Sequence, residues 1–381
     1  MSAARRLVFV GPERCDARSV KRIAALMKEG WQVLGFTFHR ERGLPDPPPA
    51  WENIHLGNTY SQRYLQRLWA IVRALALMWR HRRRIREGDC LYVINPDNAL
   101  VALFGRLVCR RRVPLVLEIA DIQPVMTGSG LKSRVARAVE RFILRRSALL
   151  LTTSPGFIRN YFHAMQHYGG PVFLLENKVY PSAGLLAARP ARTAPAVEGK
   201  WTIGFFGILR CERSIELVCR LAAAFPDRLR FILRGVPAGI NEENFFRSIG
   251  QHPNITWGGA YRYPDDLPEM YREIDFNWCF DFSAAGANSM WLLPNRIYEG
   301  GLFHCPALAY AGSETGNWLA NGHLGESFPE DLYTHLQDYF AGLTVERWQV
   351  LVEHCRQALD ERFTAEADYA ALSNRLYELN A

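Results

Sequence analysis

The sequence predicts an α/β protein of two parallel-sheet domains joined by a linker. The 381 residues are 49% hydrophobic and 12% aromatic, which is enough to bury two cores of ordinary size. Short apolar runs alternate with amphipathic stretches in both halves of the chain, as expected for β-α-β units. Between the halves, residues 180–200 are rich in Ala and Pro and show neither the period of a strand nor that of a helix.

The amino-terminal half begins with a buried strand and continues as a β-α alternation. "RLVFVG" contains a four-residue apolar run, which is too short for the core of a signal peptide. The strands that follow are apolar enough to be covered on both faces, which is typical of parallel sheets. The predicted elements are "VKRIAALMKEG", "WQVLGFTF", a long helical tract at 62–86, "CLYVI", "ALVALFGRLVCR", "VPLVLEI", "LKSRVARAVERFILRRS", "ALLLTTS" and "PVFLLENK".

The same alternation restarts in the second half. Its predicted elements are "WTIGFFG", "RSIELVCRLAAAF", "LRFILRG", "NITWGG", "DLPEMYREI", "DFNWCF", "NRIYEGGLF", "CPALAY" and "EDLYTHLQDYFAGL", followed by two terminal helices. We therefore predict Rossmann-like domains at 1–183 and 201–360, a linker at 184–200, and a C-terminal helix at 361–381 that packs back on the first domain. Open parallel sheets bind ligands beyond the carboxyl ends of their strands, so we expect the two domains to face each other across a cleft.

Charge and cysteine content narrow the function classes. The net charge of +8 is uneven: residues 1–190 hold 30 Lys and Arg against 13 Asp and Glu, and residues 191–381 hold 16 against 25. Such a basic half suggests an anionic partner, which can be a membrane surface, a diphosphate or a nucleic acid. The eight cysteines form no C-x-x-C pair, which favours a reduced cytoplasm. The longest largely apolar stretch, 68–79, contains Arg73, so no transmembrane helix is expected.

Five segments, taken in order, resemble the GT-B fold glycosyltransferases, and specifically the retaining, GT4-like group of exopolysaccharide and capsule biosynthesis. The segments are "LEIADIQP" (117–124), "LLTTSPGFIRNYF" (150–162), "LLENK" (174–178), "IGFFGILRCERSIELV" (203–218) and "LPNRIYEGGLFHCPALA" (293–309). The resemblance covers nearly the whole chain. It implies an enzyme that needs no metal and transfers a sugar from a nucleotide-diphosphate sugar.

A nucleotide-sugar donor needs cations and backbone N–H groups around its diphosphate, which gains negative charge as the sugar leaves. Arg210 and Arg213 follow a predicted turn at Gly207, where the amino end of the next helix adds partial positive charge. In the resembled family a basic residue before this helix binds the phosphates, and Arg213 matches it. The family's other basic residue falls on Ile208 here, so Arg210 is the candidate substitute. The alternative is that both arginines are exposed helix-start residues.

Glu299 matches the second glutamate of the family's E-x7-E element. The resemblance implies that it binds the nucleotide ribose, since one carboxylate can accept hydrogen bonds from two vicinal hydroxyls. Asn295 and Arg296 in the same segment are further candidates for donor contact. Gly300 and Gly301 permit close packing either beneath a nucleotide or between a helix and a strand without any ligand.

The first glutamate of that element would lie eight positions earlier, where this chain has Trp291. The segment "GANSMW" (286–291) supplies Asn288 and Ser289 as candidate donor contacts instead. Which group contacts the transferred sugar is left open.

In the amino-terminal domain, the resemblance assigns Gly11 to a close approach of the backbone to the donor. Asp121, with Glu118, follows a predicted strand end, and Asp121 is the candidate catalytic contact for the acceptor hydroxyl. The alternative for Asp121 is an ordinary surface carboxylate. His39, His163 and His167 show no metal-ligand spacing, so no metal cofactor is expected.

The tract "QRYLQRLWAIVRALALMWRHRRRIRE" (62–87) combines an apolar stripe with a basic end. Such a segment fits a membrane interface, where each basic side chain near an anionic leaflet adds about 1 kcal/mol. The alternative is a helix that packs on the core, and the two are compatible. The stripe consists of Leu65, Leu68, Trp69, Val72, Leu75, Ala76 and Trp79. The candidate membrane or acceptor contacts are Trp69, Arg80, Arg82, Arg83 and Arg84.

These observations predict a cytoplasmic glycosyltransferase, peripheral on the inner face of the plasma membrane, that acts in cell-surface polysaccharide biosynthesis. Its expected partners are a nucleotide sugar, a lipid-linked or other saccharide acceptor and an anionic membrane surface. Because the first glutamate is missing, a non-catalytic nucleotide-sugar-binding relative is one alternative. A nucleic-acid-binding protein is another, but no nucleic-acid motif appears, so no nucleic acid partner is expected. An oxidoreductase or epimerase is disfavoured because "VFVGPERCDARS" lacks G-x-G-x-x-G.

Overall fold

The computed structural model describes residues 5–39, 48–58, 64–284 and 286–379, without the side chains of residues 17 and 64–68. The chain divides into two compact units. Unit 1 contains Met1–Thr153, Ile158–Leu175 and Glu366–Ala381, and unit 2 contains Ser154–Phe157 and Glu176–Ala365. The predicted cleft between the two domains stays a prediction.

Unit 1 is built on a seven-stranded sheet in which every described pairing is parallel. Its strands are β1 (Arg5–Gly11), β2 (Trp31–His39), β3 (Glu52–Asn58), β4 (Cys90–Ile94), β5 (Leu115–Ile119), β6 (Leu149–Thr152) and β7 (Val172–Leu174). The strand order is β3-β2-β1-β4-β5-β6-β7. Every residue of β4, β5 and β6 is buried, which explains why these segments are continuous apolar runs.

The helices that link the strands of unit 1 are α1 (Ala17–Lys28), α2 (Tyr64–Arg80), α3 (Arg82–Arg86), α4 (Pro96–Val108), α5 (Pro124–Thr127) and α6 (Leu131–Leu144). A π-helical segment, Ile158–His163, precedes β7. Helix α1 begins where the Asp16 side chain accepts a hydrogen bond from the backbone N–H of Ser19 at 2.9 Å. None of the described helices is both long enough and apolar enough to cross a membrane.

The predicted apolar stripe on tract 62–87 faces away from the sheet. Trp69, Val72 and Trp79 are exposed, and the face of α2 that packs inward carries Ala70, Ala74 and Met78 instead. Residues 62 and 63 and the side chains of Leu65 and Leu68 lie outside the described residues. Helix α2 thus packs on the core, as the alternative expects, but it does so mainly through a face other than the predicted stripe.

Unit 2 repeats the design with a six-stranded parallel sheet in the order β10-β9-β8-β11-β12-β13. Its strands are β8 (Trp201–Leu209), β9 (Leu229–Pro237), β10 (Ile255–Trp257), β11 (Phe276–Trp278), β12 (Ala307–Tyr310) and β13 (Gly325–Phe328). Side chains alternate between the two faces of a strand, so Phe205 and Phe206 of β8 enter different hydrophobic clusters. The predicted pair of parallel-sheet α/β domains is confirmed.

The helices of unit 2 are α7 (Pro155–Phe157), α8 (Ala183–Ala187), α9 (Glu212–Ala224), α10 (Glu242–Gly250), α11 (Leu267–Arg272), α12 (Asn288–Trp291), α13 (Asn295–Leu302), α14 (Glu314–Gly322), α15 (Leu332–Gly342) and α16 (Val345–Gln357). A short 3-10 helix, Asp360–Arg362, follows. The chain then returns to unit 1 as α17 (Glu366–Glu378).

The segment predicted as a linker is an ordered part of unit 2. Within it, the guanidinium of Arg192 is buried and donates to the carbonyl oxygens of Phe303 at 2.7 Å and Ile274 at 2.6 Å, and also to that of Tyr271. A buried guanidinium needs such partners because it carries five N–H donors. The segment thus lacks periodicity because it covers the unit without forming a long helix or strand.

Asp275 anchors the start of the six-stranded sheet. Its buried carboxylate accepts hydrogen bonds from the backbone N–H groups of Ala196 at 2.7 Å and Thr202 at 2.8 Å. Burial raises the pKa of Asp275 to about 6, although these two hydrogen bonds and the charge of Arg192 act in the opposite direction.

A buried ionic network ties α17 to unit 1. The guanidinium of Arg22 donates to Glu118 Oε1 at 3.1 Å, to the Tyr369 hydroxyl at 2.9 Å and to the Leu175 carbonyl at 3.1 Å. The Tyr92 hydroxyl donates to the other oxygen of Glu118. Burial by itself raises the pKa of Glu118, but the neighbouring arginine charges and these hydrogen bonds outweigh it, so the pKa is lowered. Glu118 is therefore an ionised structural carboxylate.

Candidate functional site

Two glycines in register shape the carboxyl edge of the sheet in unit 2. Gly207 of β8 pairs with Gly235 of β9, and their φ angles are +111° and +132°, in the region that favours glycine. A Cβ on Gly235 would lie 1.8 Å from the carbonyl oxygen of Gly207. On Gly207 itself, the nearest atom to an added Cβ is a guanidinium nitrogen of Arg296, at 4.0 Å. Gly207 is therefore a residue of strand β8, so the predicted turn at this position is wrong, but open space lies above Gly207, next to a cation.

Arg296 lies in the first turn of α13 and is fixed by the ends of two strands. Its guanidinium donates to the carbonyl oxygens of Phe206 and Phe280, each at 3.3 Å. Phe206 lies three residues before the end of β8 and Phe280 lies two residues after β11, so the cation sits near the carboxyl ends of these neighbouring parallel strands. Arg296 therefore lies beside Gly207, and its predicted contact with the donor stays a prediction.

Asp281, which follows β11, connects the basic residues of this edge. Its carboxylate accepts hydrogen bonds from the backbone N–H and hydroxyl of Ser283 at 2.9 and 2.6 Å, and it lies 3.2 Å from the guanidinium of Arg210. Burial by itself raises the pKa of Asp281, but the charge of Arg296, the Ser283 hydrogen bonds and the charge of Arg210 outweigh it and lower the pKa. Asp281 is thus ionised at neutral pH and orients Arg210.

The two predicted phosphate-binding arginines point to different neighbours. Arg210 contacts Asp281, whereas Arg213 pairs with Glu330 and lies over the ring of Phe282, 4.3 Å from its centroid. Both side chains stay partly exposed, at 40% and 45%. Arg210 therefore lies close to Arg296 and Gly207, whereas Arg213 contacts the segment just before α15.

Glu299 lies on the buried side of α13. It is 4% exposed, and the hydroxyl of Tyr271 donates to its Oε2 at 3.1 Å. Burial and the charge of Glu299 raise the pKa of nearby Tyr261, so this phenol also stays protonated. The carboxylate thus lies among aromatic hydroxyls on the same helix that carries Arg296.

Gly300 and Gly301 let α13 pack closely on its own unit. A Cβ on Gly300 would lie 2.6 Å from the Asn277 side-chain nitrogen, and one on Gly301 would lie 2.1 Å from the ring of Phe363. Of the two alternatives for this pair, the structure shows packing between protein elements. The contacts hold Arg296 and Glu299 at fixed positions on α13.

The remaining candidates in unit 2 differ in burial and in their hydrogen bonds. The Ser289 hydroxyl accepts a hydrogen bond from the Ala284 N–H at 2.8 Å and lies 3.3 Å from Asp281, so it orders the loop after β11. Asn288 is buried beside it, and Asn295 is exposed at the first position of α13. Their predicted contacts with a donor stay predictions.

Trp291 occupies the position of the missing first glutamate, and its backbone is tightly held. The Ser154 hydroxyl donates to the Trp291 carbonyl oxygen. A Cβ on Gly156 would lie 2.4 Å from that same oxygen. Segment 154–157 therefore fixes the backbone of α12 at this position.

In unit 1, the predicted residues lie at the carboxyl ends of β1 and β5. Gly11 ends β1 and is buried, and a Cβ there would lie 2.3 Å from the ring of Phe9. Asp121 follows β5, is about half exposed and pairs with Arg18 of α1 at 3.0 Å. Because parallel strands end at the same edge of a sheet, both predicted residues lie at that edge. The catalytic role of Asp121 stays a prediction.

The basic residues of the tract 80–86 differ in their contacts. Arg80 and Arg83 are exposed, Arg82 lies over the ring of Trp79 at 4.5 Å, and Arg84 forms a two-pronged ion pair with Glu52 of β3. Arg84 is therefore partly neutralised within unit 1.

No group of three or more His, Cys, Asp or Glu side chains within the described ranges is arranged to hold a metal ion. All eight cysteines are free thiols, and six of them are buried. The expectation of a reaction without a metal stays a prediction.

Two site residues escaped the sequence reasoning. Asp281 lies in the segment "CFDF", whose position after a strand marks it as a site loop, but nothing in that pattern singles out the carboxylate. Tyr271 gives no sequence signal, because its link to Glu299 arises only from the packing of α11 on α13.

Comparison with known proteins identifies the family of the chain. A family model described as "Glycosyl transferase 4-like domain" matches residues 17–174. The succinoglycan biosynthesis protein ExoL of Rhizobium meliloti (strain 1021) is 34% identical over 321 residues, covering 84% of this chain and 80% of that protein. The chain belongs to the glycosyl transferase 4-like family.

Solved structures support the fold assignment of this glycosyltransferase. Sucrose-phosphate synthase from Thermosynechococcus elongatus superposes with a TM-score of 0.70 at 16% identity, over 98% of each chain. Anabaena Alr3699/HepE in complex with UDP-glucose gives a TM-score of 0.66 at 14% identity, over 98% of this chain and 99% of that chain. At these identities the likeness concerns the fold alone, which is the predicted GT-B architecture.

Proposed function

We propose that this glycosyltransferase moves a sugar from a nucleotide-diphosphate sugar to a lipid-linked saccharide acceptor during cell-surface polysaccharide biosynthesis, with retention of anomeric configuration. The enzyme works in the cytoplasm, peripheral on the inner face of the plasma membrane, and needs no metal ion. The name of the ExoL relative refers to succinoglycan biosynthesis, and the Anabaena structure is titled as a complex with UDP-glucose, which supports this donor and product class.

One observation carries the donor assignment: Arg210 and Arg296 lie around the ionised Asp281 beside the open space at Gly207. Contact with Asp281 uses one of the five N–H donors of Arg210, and the others suit phosphate oxygens. The amino terminus of α9 follows directly and adds partial positive charge.

Glu299 holds the ribose in this proposal. It lies on α13 one helical turn beyond Arg296, so a nucleotide whose diphosphate lies near Arg296 brings its sugar hydroxyls toward Glu299. Tyr271 orients the carboxylate by donating to one of its oxygens. Asp121 of unit 1 contacts the acceptor hydroxyl, and the leaving phosphate assists the deprotonation of that hydroxyl.

Isothermal titration calorimetry with UDP and other nucleoside diphosphates tests the donor site. We expect Glu299→Ala to weaken binding of the preferred nucleotide by about 100-fold or more, because two hydrogen bonds to a charged group contribute roughly 1.5–3 kcal/mol each. Arg210→Ala should weaken it about tenfold or more. Arg247→Ala, which removes an exposed arginine paired with Glu243 on α10, is the matched control and should leave the affinity unchanged.

If Glu299→Ala and Arg210→Ala both fold and bind every nucleotide as the wild type does, the donor site is wrongly placed. Proton NMR of the anomeric linkage in the product tests retention. Activity that disappears on chelation with EDTA and returns with a divalent cation would contradict the metal-free reaction.

Trp291 favours a second candidate, a nucleotide-sugar-binding relative without transferase activity, because it replaces a glutamate of the E-x7-E element. The two candidates differ in turnover. Release of UDP from a bound nucleotide sugar, measured with and without a saccharide acceptor, supports the transferase, and binding without any release supports the second candidate.

A further inference from the structure

Exposed apolar side chains are concentrated on three helices of unit 1. Ten of the 21 large apolar side chains that are exposed in the described part of the chain lie on α2, α4 and α6. Their most exposed members are Trp69 at 74%, Leu107 at 73% and Leu131 at 77%. Such a concentration on one layer marks an interaction surface, whereas scattered single residues do not.

The three helices lie side by side. They follow β3, β4 and β5, and each leads to the next strand in the same direction along the sheet, so right-handed crossovers place all three on one face. Contacts agree with this layer: a Cβ on Gly105 of α4 would lie 3.2 Å from the sulfur of Met78 on α2, and Arg106 of α4 donates to the carbonyl of Arg146 just after α6. The outward apolar residues therefore belong to one surface.

Helix α6 contributes a full apolar stripe to this layer. The sequence pattern indicates that α6 is amphipathic, but it does not show that its apolar stripe is exposed. Leu131, Val135, Val139 and Phe142 recur at the spacing of one helix face, and all four are exposed. The opposite face of α6 buries Ile143 and Leu144 against the unit. We call the outward residues of α2, α4 and α6 the three-helix surface. It includes Trp69, Trp79, Leu107, Leu131, Val135 and Phe142.

The exposed charge on α2 and α6 is basic, and α4 carries one exposed carboxylate, Asp97, in its first turn. Exposed basic residues border the apolar stripes at Arg80, Arg83, Lys132 and Arg134. Helix α2 contains no acidic residue, and the one carboxylate of α6, Glu140, is turned inward, where it accepts hydrogen bonds from Tyr161 and Gln166. An apolar face bordered by basic groups, with no exposed acid on α2 or α6, is complementary to anionic headgroups above an acyl layer.

We propose that the three-helix surface docks on an anionic lipid bilayer, with α6 and α4 sharing the contact with α2. The aromatic and aliphatic side chains enter the headgroup boundary, and the arginines and lysine hold lipid phosphates. This inference rests on the proposed function in one respect, because a lipid-linked acceptor requires the enzyme at a membrane. It goes beyond that function by naming the surface and the class of lipid.

Vesicle flotation with the full-length protein tests the docking. The vesicles contain phosphatidylcholine alone or phosphatidylcholine with phosphatidylglycerol. We expect binding only to the anionic vesicles, and we expect it to weaken when salt is raised. The double variants Leu131→Gln/Val135→Gln on α6 and Trp69→Gln/Trp79→Gln on α2 should each weaken binding at least tenfold.

Leu359→Gln is the matched control, since Leu359 in unit 2 is 75% exposed, much like Leu131, and lies outside the surface. It should bind anionic vesicles as the wild type does. Calorimetry with UDP should give the same affinity for all of these variants, which separates a failure of docking from a failure of the donor site.

Three results would overturn the proposal. The α6 double variant binding anionic vesicles as tightly as the wild type would remove α6 from the contact. Equal binding to neutral and anionic vesicles would show that the charge of the lipid does not contribute to docking. Absence of vesicle binding, together with binding to a DNA oligonucleotide that the same variants lose, would assign the surface to a nucleic acid.

Discussion

Replacing Gly235 by alanine tests whether the paired glycines shape the donor site. The added Cβ would lie 1.8 Å from the Gly207 carbonyl oxygen, whereas a close carbon–oxygen contact is about 3.3 Å, so that carbonyl has to move by about 1.5 Å. Gly235 also has a φ of +132°, which is strained for alanine. Since strain and overpacking each cost roughly 1–3 kcal/mol, we expect a destabilisation of about 4 kcal/mol.

The loss is measurable as a melting shift and as a change in nucleotide affinity. For a unit of this size, about 4 kcal/mol corresponds to a fall in Tm of roughly 8–16 °C. Below that temperature the displaced Gly207 carbonyl disturbs the carboxyl end of β8 next to Arg296, so UDP affinity should fall about tenfold or more. Differential scanning fluorimetry and calorimetry at a temperature where both proteins are folded provide the two readouts.

Gly239→Ala is the control for backbone strain alone. Gly239 has a φ of +75°, but an added Cβ there meets no atom within 4 Å, so we expect a loss of about 1 kcal/mol and an unchanged UDP affinity. If Gly235→Ala melts at the same temperature as Gly239→Ala and binds UDP normally, the steric argument for the paired glycines of the donor site is refuted.

Three further substitutions probe buried polar groups. The pKa of Asp275 is raised in the folded state, so the wild type should gain stability relative to Asp275→Asn as the pH falls from about 6 to about 4. The gain should reach up to about 1.4 kcal/mol per pH unit. A difference between the two proteins in urea unfolding that does not depend on pH would contradict this. Tyr271→Phe removes one hydrogen bond to the carboxylate of Glu299, so it should reduce stability by about 1 kcal/mol. It should also reduce UDP affinity, but by less than Glu299→Ala does. A UDP affinity equal to that of the wild type in calorimetry would argue against the orienting role of Tyr271. Arg22→Met should reduce stability in thermal or urea unfolding by roughly 3–5 kcal/mol, because it leaves the ionised Glu118 buried without its cation. Adding Glu118→Gln should restore part of the loss. If Arg22→Met is as stable as the wild type, the ion pair contributes little to stability.

Sequence patterns are sufficient for the architecture of this protein. Strands such as β4 and β5 are covered on both faces and therefore appear as continuous apolar runs, which indicate a parallel sheet without reference to any other residue. The segment around Gly207 and Arg210 and the segment around Glu299 are likewise local signals, since each depends on a few consecutive residues in a fixed order. These signals predict the two sheets, the order of the site loops and the family.

Residue spacing does not reveal which face of a helix packs or where a long side chain points. The stripe through Trp69 and Trp79 has the period of a packing face, yet α2 packs through Ala70 and Ala74, because small side chains let the helix lie close to its neighbours. The rotation of a helix about its axis is set by those neighbours, so the exposed stripe is seen only in the folded unit.

The same distinction applies to the candidate site. The chain order places Arg210 and Arg213 together after one turn, but partners distant in sequence draw the first toward Asp281 and the second toward Glu330. By itself, the sequence determined that a basic turn and a helix-borne carboxylate belong to one parallel-sheet unit, because helix and strand periods are local properties of the chain. Only the tertiary structure decided which cation stands beside Gly207, because ion pairing and burial depend on residues that folding brings together from far apart.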